Sequence, residues 1–128
     1  MAALGGAVAA LFAALGVFQT ALALGAPWGR LAWGGTHEGA LPRRLRVASA
    51  AALLPVVAGL VAALRAGGWL AWPGAGVAAA TLYALAALFG LSFVGNALSQ
   101  SRAERRMGVP LTLALGVGCL ALAIGPTE

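Results

Sequence analysis

Eight basic and three acidic residues divide this 128-residue chain into four long stretches that carry no charge. The stretches cover residues 2–26, 47–64, 73–99 and 107–126, and each is rich in Ala, Leu, Val and Gly. A helix needs about 20 apolar residues to cross a hydrocarbon layer of about 30 Å, and about 17–25 are acceptable. Each stretch meets this length, so the charge pattern predicts four transmembrane helices.

The composition excludes the common alternatives. Hydrophobic residues make up 62% of the chain and charged residues 9%, whereas soluble domains carry about 25% charged residues. A chain of this size cannot bury so much apolar surface in water. One cysteine cannot form a disulfide within the chain, and the stretches lack the alternation of a membrane barrel. We therefore predict an all-α integral membrane four-helix bundle, one domain over residues 1–128, with spans at about 2–25, 46–65, 74–98 and 108–125.

The prolines predict where the helices begin and bend. Pro73 and Pro110 fall where the third and fourth spans are expected to start, and the missing proline N–H costs nothing there. Pro55 lies inside the second span, where it is expected to kink the helix and to free a carbonyl near Ala51.

The arginines predict the orientation. Seven of the eight basic residues lie in the first and third linkers, and Arg65 is the exception. The positive-inside rule then places both linkers in the cytoplasm and both termini outside. Arginines beside a membrane also attract anionic lipid headgroups, each contributing about 1 kcal/mol. The candidate headgroup ligands are Arg43, Arg44, Arg46, Arg102, Arg105 and Arg106. This distribution favours lipid over nucleic acid as the partner of the basic residues.

Neutral polar residues fall at one level of the predicted bundle, toward the cytoplasmic side. They are Gln19 on the first span, Ser49 on the second, Ser92 and Asn96 on the third and Thr112 on the fourth. One interpretation, which we favour at this stage, is that these groups hydrogen-bond to one another across the helices. The other is a polar cavity, open to the cytoplasm, for a small solute, an ion or a lipid headgroup.

The first linker, residues 26–45, is long for a helix connection and is rich in Gly, Trp and Arg. Its Trp28, Arg30 and Trp33 are candidates for an ordered cytoplasmic loop in which the tryptophans anchor the chain to the bundle. His37 and Glu38 could act as a general acid/base pair. No serine, cysteine or second acid lies nearby in the sequence to complete a catalytic set, so a solvated loop histidine is favoured.

Two groups of residues carry a resemblance to a known kind of protein. The first is Pro27-Trp28-Gly29, Gly34-Gly35, Gly39, Leu41-Pro42 and Arg46; the second is Asn96, Ser99, Ser101, Glu104-Arg105 and Pro110. With these, nearly the whole chain resembles a widespread family of small bacterial four-span integral membrane proteins. The resemblance implies a four-span architecture in the bacterial cytoplasmic (inner) membrane and implies no particular chemistry.

The resulting functional hypothesis is a non-enzymatic accessory or lipid-binding membrane component, without a cofactor or a metal. A small oligomeric channel or transporter with a neutral polar path is the alternative, and a lipid-modifying membrane enzyme comes third. The expected partners are membrane lipids, with a homo-oligomer or a larger membrane complex as further possibilities.

Overall fold

A computed structural model describes residues 1–125 of the chain, and all of its regular elements are helical. The helices are α1 (Ala2–Ala23), α2 (Arg43–Ala51), α3 (Leu53–Ala66), α4 (Ala75–Ala97) and α5 (Arg102–Ile124). Because α2 and α3 follow one another as a single span, Arg43–Ala66, four helical segments are long and apolar enough to cross a membrane. The predicted all-α four-helix membrane bundle is confirmed.

The four spans form a closed ring. Helix α1 packs against α3, α3 against α4, α4 against α5, and α5 against α1, with α4 and α5 in the most extensive contact. The linker of residues 24–42 and the turn of residues 98–101 meet at one end of this ring, which we call the linker end. At the opposite end, the Trp69 indole N–H donates to the Ala2 carbonyl at 3.0 Å.

Two helices begin earlier than the sequence analysis places them. Helix α5 begins at Arg102, not near residue 108, because the Ser101 side chain caps it by accepting a hydrogen bond from the Glu104 N–H. Pro110 therefore lies inside α5, and its predicted position at the start of the span is wrong. Helix α2 likewise begins at Arg43, directly after the extended Pro42.

The second span is interrupted where Pro55 predicts a bend. Helix α2 ends at Ala51 and α3 begins at Leu53, and Pro55 has no N–H to donate to the Ala51 carbonyl four residues earlier. Helix α3 packs against α1, α4 and α5, whereas α2 packs chiefly against α1. The interruption therefore leaves a space between α2 and the facing parts of α4 and α5.

Below this space the bundle is densely filled. Phe12 and Phe89 pack edge to face, with ring centroids 5.7 Å apart and an interplanar angle of 61°. Phe12 is fully buried against α3 at Gly59, where any larger residue would overlap its ring. Leu82 and Cys119 are also fully buried in this cluster. Close packing of this kind holds membrane helices together, because lipid removes the hydrophobic drive between them.

Candidate functional site: a cavity beneath the first linker

A cavity of about 850 Å³ lies at the linker end of the bundle. All four spans and the first linker line it, through residues such as Phe18, Ala51, Phe89 and Met107. Ligand sites are commonly clefts of about 300–1,000 Å³ with apolar walls and a few polar groups. The cavity has both the size and the kind of lining that such sites have.

The lining changes from polar to apolar along the bundle axis. Gln19, Asn96 and Glu104 lie near the linker end, whereas Leu15 and Phe89 lie deeper in the bundle. Asn96 and Phe89 are seven residues apart on α4, which corresponds to about 10 Å along the helix axis. The cavity therefore offers polar contacts at its outer end and an apolar wall below them.

The cavity reaches the surface of the bundle between α2 and α4. Five of its lining residues are exposed: Ala51 on α2, Leu88 and Gly95 on α4, and Trp33 and Gly34 in the linker. This side of the cavity is formed by helical segments that are long and apolar enough to cross a membrane.

Four of the five predicted polar residues line this one cavity: Gln19, Ser92, Asn96 and Thr112. The Thr112 hydroxyl donates to the Gly108 carbonyl of its own helix at 2.6 Å. The Gln19 Oε1 atom is buried and has no hydrogen-bond partner within residues 1–125. The structure thus places these four side chains around one cavity.

Ser49, the fifth predicted residue, holds the linker in place. Its buried hydroxyl accepts a hydrogen bond of 2.9 Å from the Trp33 indole N–H. Trp33 has a φ of +53°, which is unusual for any residue other than glycine and costs about 1–3 kcal/mol. Trp28, the other predicted anchor, stacks on Phe18 with ring centroids 6.2 Å apart. Both tryptophans thus tie the linker to the bundle, and Trp33 also lines the cavity.

A network that we call the linker latch joins the linker to the turn between α4 and α5. The Gly34 N–H donates to the Glu104 carboxylate at 3.1 Å, and the Gly34 carbonyl accepts from the Ser99 hydroxyl at 3.3 Å. The Ser101 hydroxyl donates to the Arg30 carbonyl at 2.6 Å. The backbone N–H and carbonyl of Gly34 thus both have hydrogen-bond partners, and the linker is fixed over the cavity.

Gly35 makes this approach possible. Its φ is +70°, and a Cβ atom at this position would overlap the Cβ of Ser101. Only glycine can adopt this positive φ without strain and also leave room for the Ser101 side chain.

The predicted headgroup arginines divide into two groups. The Arg46 Nε–H donates to the Ala23 carbonyl at the end of α1 at 3.0 Å, and an Arg105 guanidinium N–H donates to the Ser99 carbonyl after α4. A positive charge at a helix C-terminus is favourable, so these two side chains also cap the preceding spans. The remaining four are exposed at the linker end: Arg43, Arg44, Arg102 and Arg106.

His37 and Glu38 do not belong to the cavity. His37 Nδ1 lies 3.1 Å from the hydroxyl of its neighbour Thr36, and Glu38 is exposed. Neither residue is part of the cavity lining. The structure therefore does not bring them together with the polar groups on the four spans.

Apart from Arg30, the residues of the linker latch were not predicted to belong to a functional site. Glu104 is only 4% exposed and forms part of the cavity wall, although the sequence analysis assigned it no role beyond the resemblance. A serine followed three residues later by a glutamate is the signature of a helix N-terminus. That signal at Ser101 and Glu104 could have placed both residues on α5.

Comparisons with protein-family models, with curated proteins and with solved structures give no match to this chain.

Proposed function

We propose that this multi-pass membrane protein is a non-enzymatic lipid-binding component that takes a single-chain amphiphile into the cavity beneath the first linker. The observation that carries the proposal is the cavity itself, with polar groups near the linker end and apolar walls below. An amphiphile fits this lining when its polar end lies near Asn96 and its chain lies beside Phe89. The lateral opening at Ala51 and Gly95 provides its route from the bilayer.

We further propose that the linker end faces the cytoplasm of a bacterium and that both termini lie outside its inner membrane. The support is that Arg30, Arg43, Arg44, Arg46, Arg102, Arg105 and Arg106 all lie at this end. The cavity then lies in the cytoplasmic leaflet, and the exposed arginines contact anionic headgroups around its mouth. A homo-oligomer or a larger complex is compatible with this arrangement.

The contacts of the site favour binding over the two other hypotheses. A channel needs a polar path through the bundle, but Phe12, Leu82 and Cys119 fill the bundle beyond the cavity. The hypothesis of a lipid-modifying enzyme rests on His37 and Glu38, and neither residue lines the cavity.

The test blocks the lateral opening. Gly95 lines the cavity, and a Cβ atom there meets nothing within 4 Å, so Gly95→Leu adds a side chain at the opening from a position where the Cβ has room. We expect this variant to bind added dodecanol at least about tenfold more weakly than the unmodified protein, because displacing several buried methylenes costs about 0.8 kcal/mol each. Native mass spectrometry of protein purified in a steroid-based detergent measures the bound probe.

Gly90→Leu is the matched control. Gly90 lies on the same helix, is exposed, also has open space at its Cβ, and is not part of the cavity lining. Equal dodecanol binding by both variants would contradict the proposal.

A further inference from the structure

Some hydrogen-bonding groups around the cavity already have partners within the protein, and others can still bind a ligand. Three donors near the cavity already have partners: the Trp33 indole N–H donates to Ser49, the Gly34 N–H to Glu104, and the Thr112 hydroxyl to Gly108. The side-chain amides of Gln19 and Asn96 and the Ser92 hydroxyl are further donors in the lining. The acceptors retain capacity. A carboxylate can accept about four hydrogen bonds, and the Gly34 N–H supplies one of those of Glu104.

Gln19 adds a second acceptor. Its Oε1 atom is buried and lacks a partner within the described part of the chain. An unsatisfied buried acceptor is costly, so native structures satisfy such atoms with protein, water or ligand. Because Gln19 and Glu104 line the same cavity, a ligand that donates hydrogen bonds can pair with the side-chain oxygens of both residues.

The negative charge of the cavity lining also favours a ligand that donates hydrogen bonds. Glu104 is the charged residue among the lining side chains, and no arginine or histidine of the described chain is among them. The carboxylate also lies in the first turn of α5, where the helix dipole favours negative charge. The arginines lie outside the cavity, where they cap helices or are exposed.

We propose that the cavity selects amphiphiles whose polar end is a protonated amine, with Glu104 as its ionic partner and Gln19 as a hydrogen-bond acceptor. This inference rests on the proposed function and deepens it by naming the ligand class. It also separates two lipid interactions of the protein. Exposed arginines contact anionic headgroups around the bundle, while the cavity accepts a cationic head.

Three probes with the same chain test the inference: dodecylamine, dodecanol and dodecanoic acid. We expect the unmodified protein to bind dodecylamine about tenfold more tightly than dodecanol, because hydrogen bonds between charged groups are roughly twice as strong as those between neutral groups. Dodecanoic acid should bind most weakly. A net charge of +5, with seven arginines at the linker end, would by itself favour the acid, so the expected order opposes the surface electrostatics.

Glu104→Gln removes the charge and keeps an oxygen that can accept from the Gly34 N–H. We expect this variant to bind dodecylamine and dodecanol equally. Glu38→Gln is the matched control, because it removes the same charge from an exposed position in the linker. Its preference for the amine should equal that of the unmodified protein.

The outcomes distinguish the two proposals. If Gly95→Leu weakens all three probes but Glu104→Gln leaves the order of affinities unchanged, the cavity binds amphiphiles and the amine selectivity is wrong. Equal effects of Glu38→Gln and Glu104→Gln would also overturn the selectivity. If Gly95→Leu changes none of the affinities, the proposed function itself fails.

Discussion

Phe12→Ala is expected to lower the free energy of unfolding by about 3–5 kcal/mol, the range for phenylalanine truncations in packed cores. Phe12 is fully buried, packs edge to face on Phe89 and fills the space beside Gly59. Its removal leaves a void where three spans meet, and close packing is the main attraction between helices in lipid. Unfolding in mixed micelles, followed by tryptophan fluorescence, measures the loss.

Tyr83→Ala serves as the control, since Tyr83 is an aromatic residue on α4 that is 47% exposed. Its truncation should cost less than about 1 kcal/mol. Similar losses for the two variants would mean that the contact between Phe12 and Phe89 does not organise the bundle. Because Phe89 also lines the cavity, its contact with Phe12 supports one part of the cavity wall.

Gly35→Val is expected to release the first linker from the turn between α4 and α5. A β-branched residue is strained at a φ of +70°, and its Cβ would overlap that of Ser101. The left-handed backbone alone costs about 1–2 kcal/mol, and about 1.4 kcal/mol corresponds to a tenfold change in an equilibrium constant. We therefore expect the amides of residues 29–35 to exchange with deuterium at least about tenfold faster, as measured by mass spectrometry.

Gly39→Val introduces the same side chain elsewhere in the linker. Gly39 is exposed, and a Cβ atom there meets nothing within 4 Å. Exchange of residues 29–35 should be unchanged in this variant. If Gly35→Val leaves their exchange unchanged as well, the linker latch does not hold the linker over the cavity.

The architecture could be predicted from the sequence because membranes impose simple rules on length and charge. Each charge-free stretch is long enough to span the bilayer, and Pro55 lacks the N–H that an unbroken helix needs. These are local properties that need no knowledge of neighbouring helices. The charge pattern predicts too late a start for α5, because charged residues end an apolar stretch without ending the helix. The helix continues beyond the apolar stretch, through Arg106 to its cap at Ser101.

The cavity and the linker latch depend on contacts between distant residues. Gln19, Asn96 and Thr112 could be placed at one depth, but their depth alone does not say whether their side chains meet or leave a space. The role of Glu104 depends on a hydrogen bond from Gly34, seventy residues earlier in the chain. Such a pairing comes from the path of the linker, which glycines at positions 34 and 35 allow and which no periodicity in the sequence indicates.

The position of a bound amphiphile tests the central claim most directly. Dodecylamine carrying a photoreactive group on its chain can be cross-linked to the protein in lipid nanodiscs, and the labelled residues can be identified by mass spectrometry. We expect labels on the cavity-lining residues of α4 and α5, such as Phe89, Asn96 and Leu111, and their loss when excess unlabelled dodecylamine is added. Labels of equal intensity on the exposed side chains of Leu113, Val117 and Leu120, unaffected by the competitor, would contradict the account.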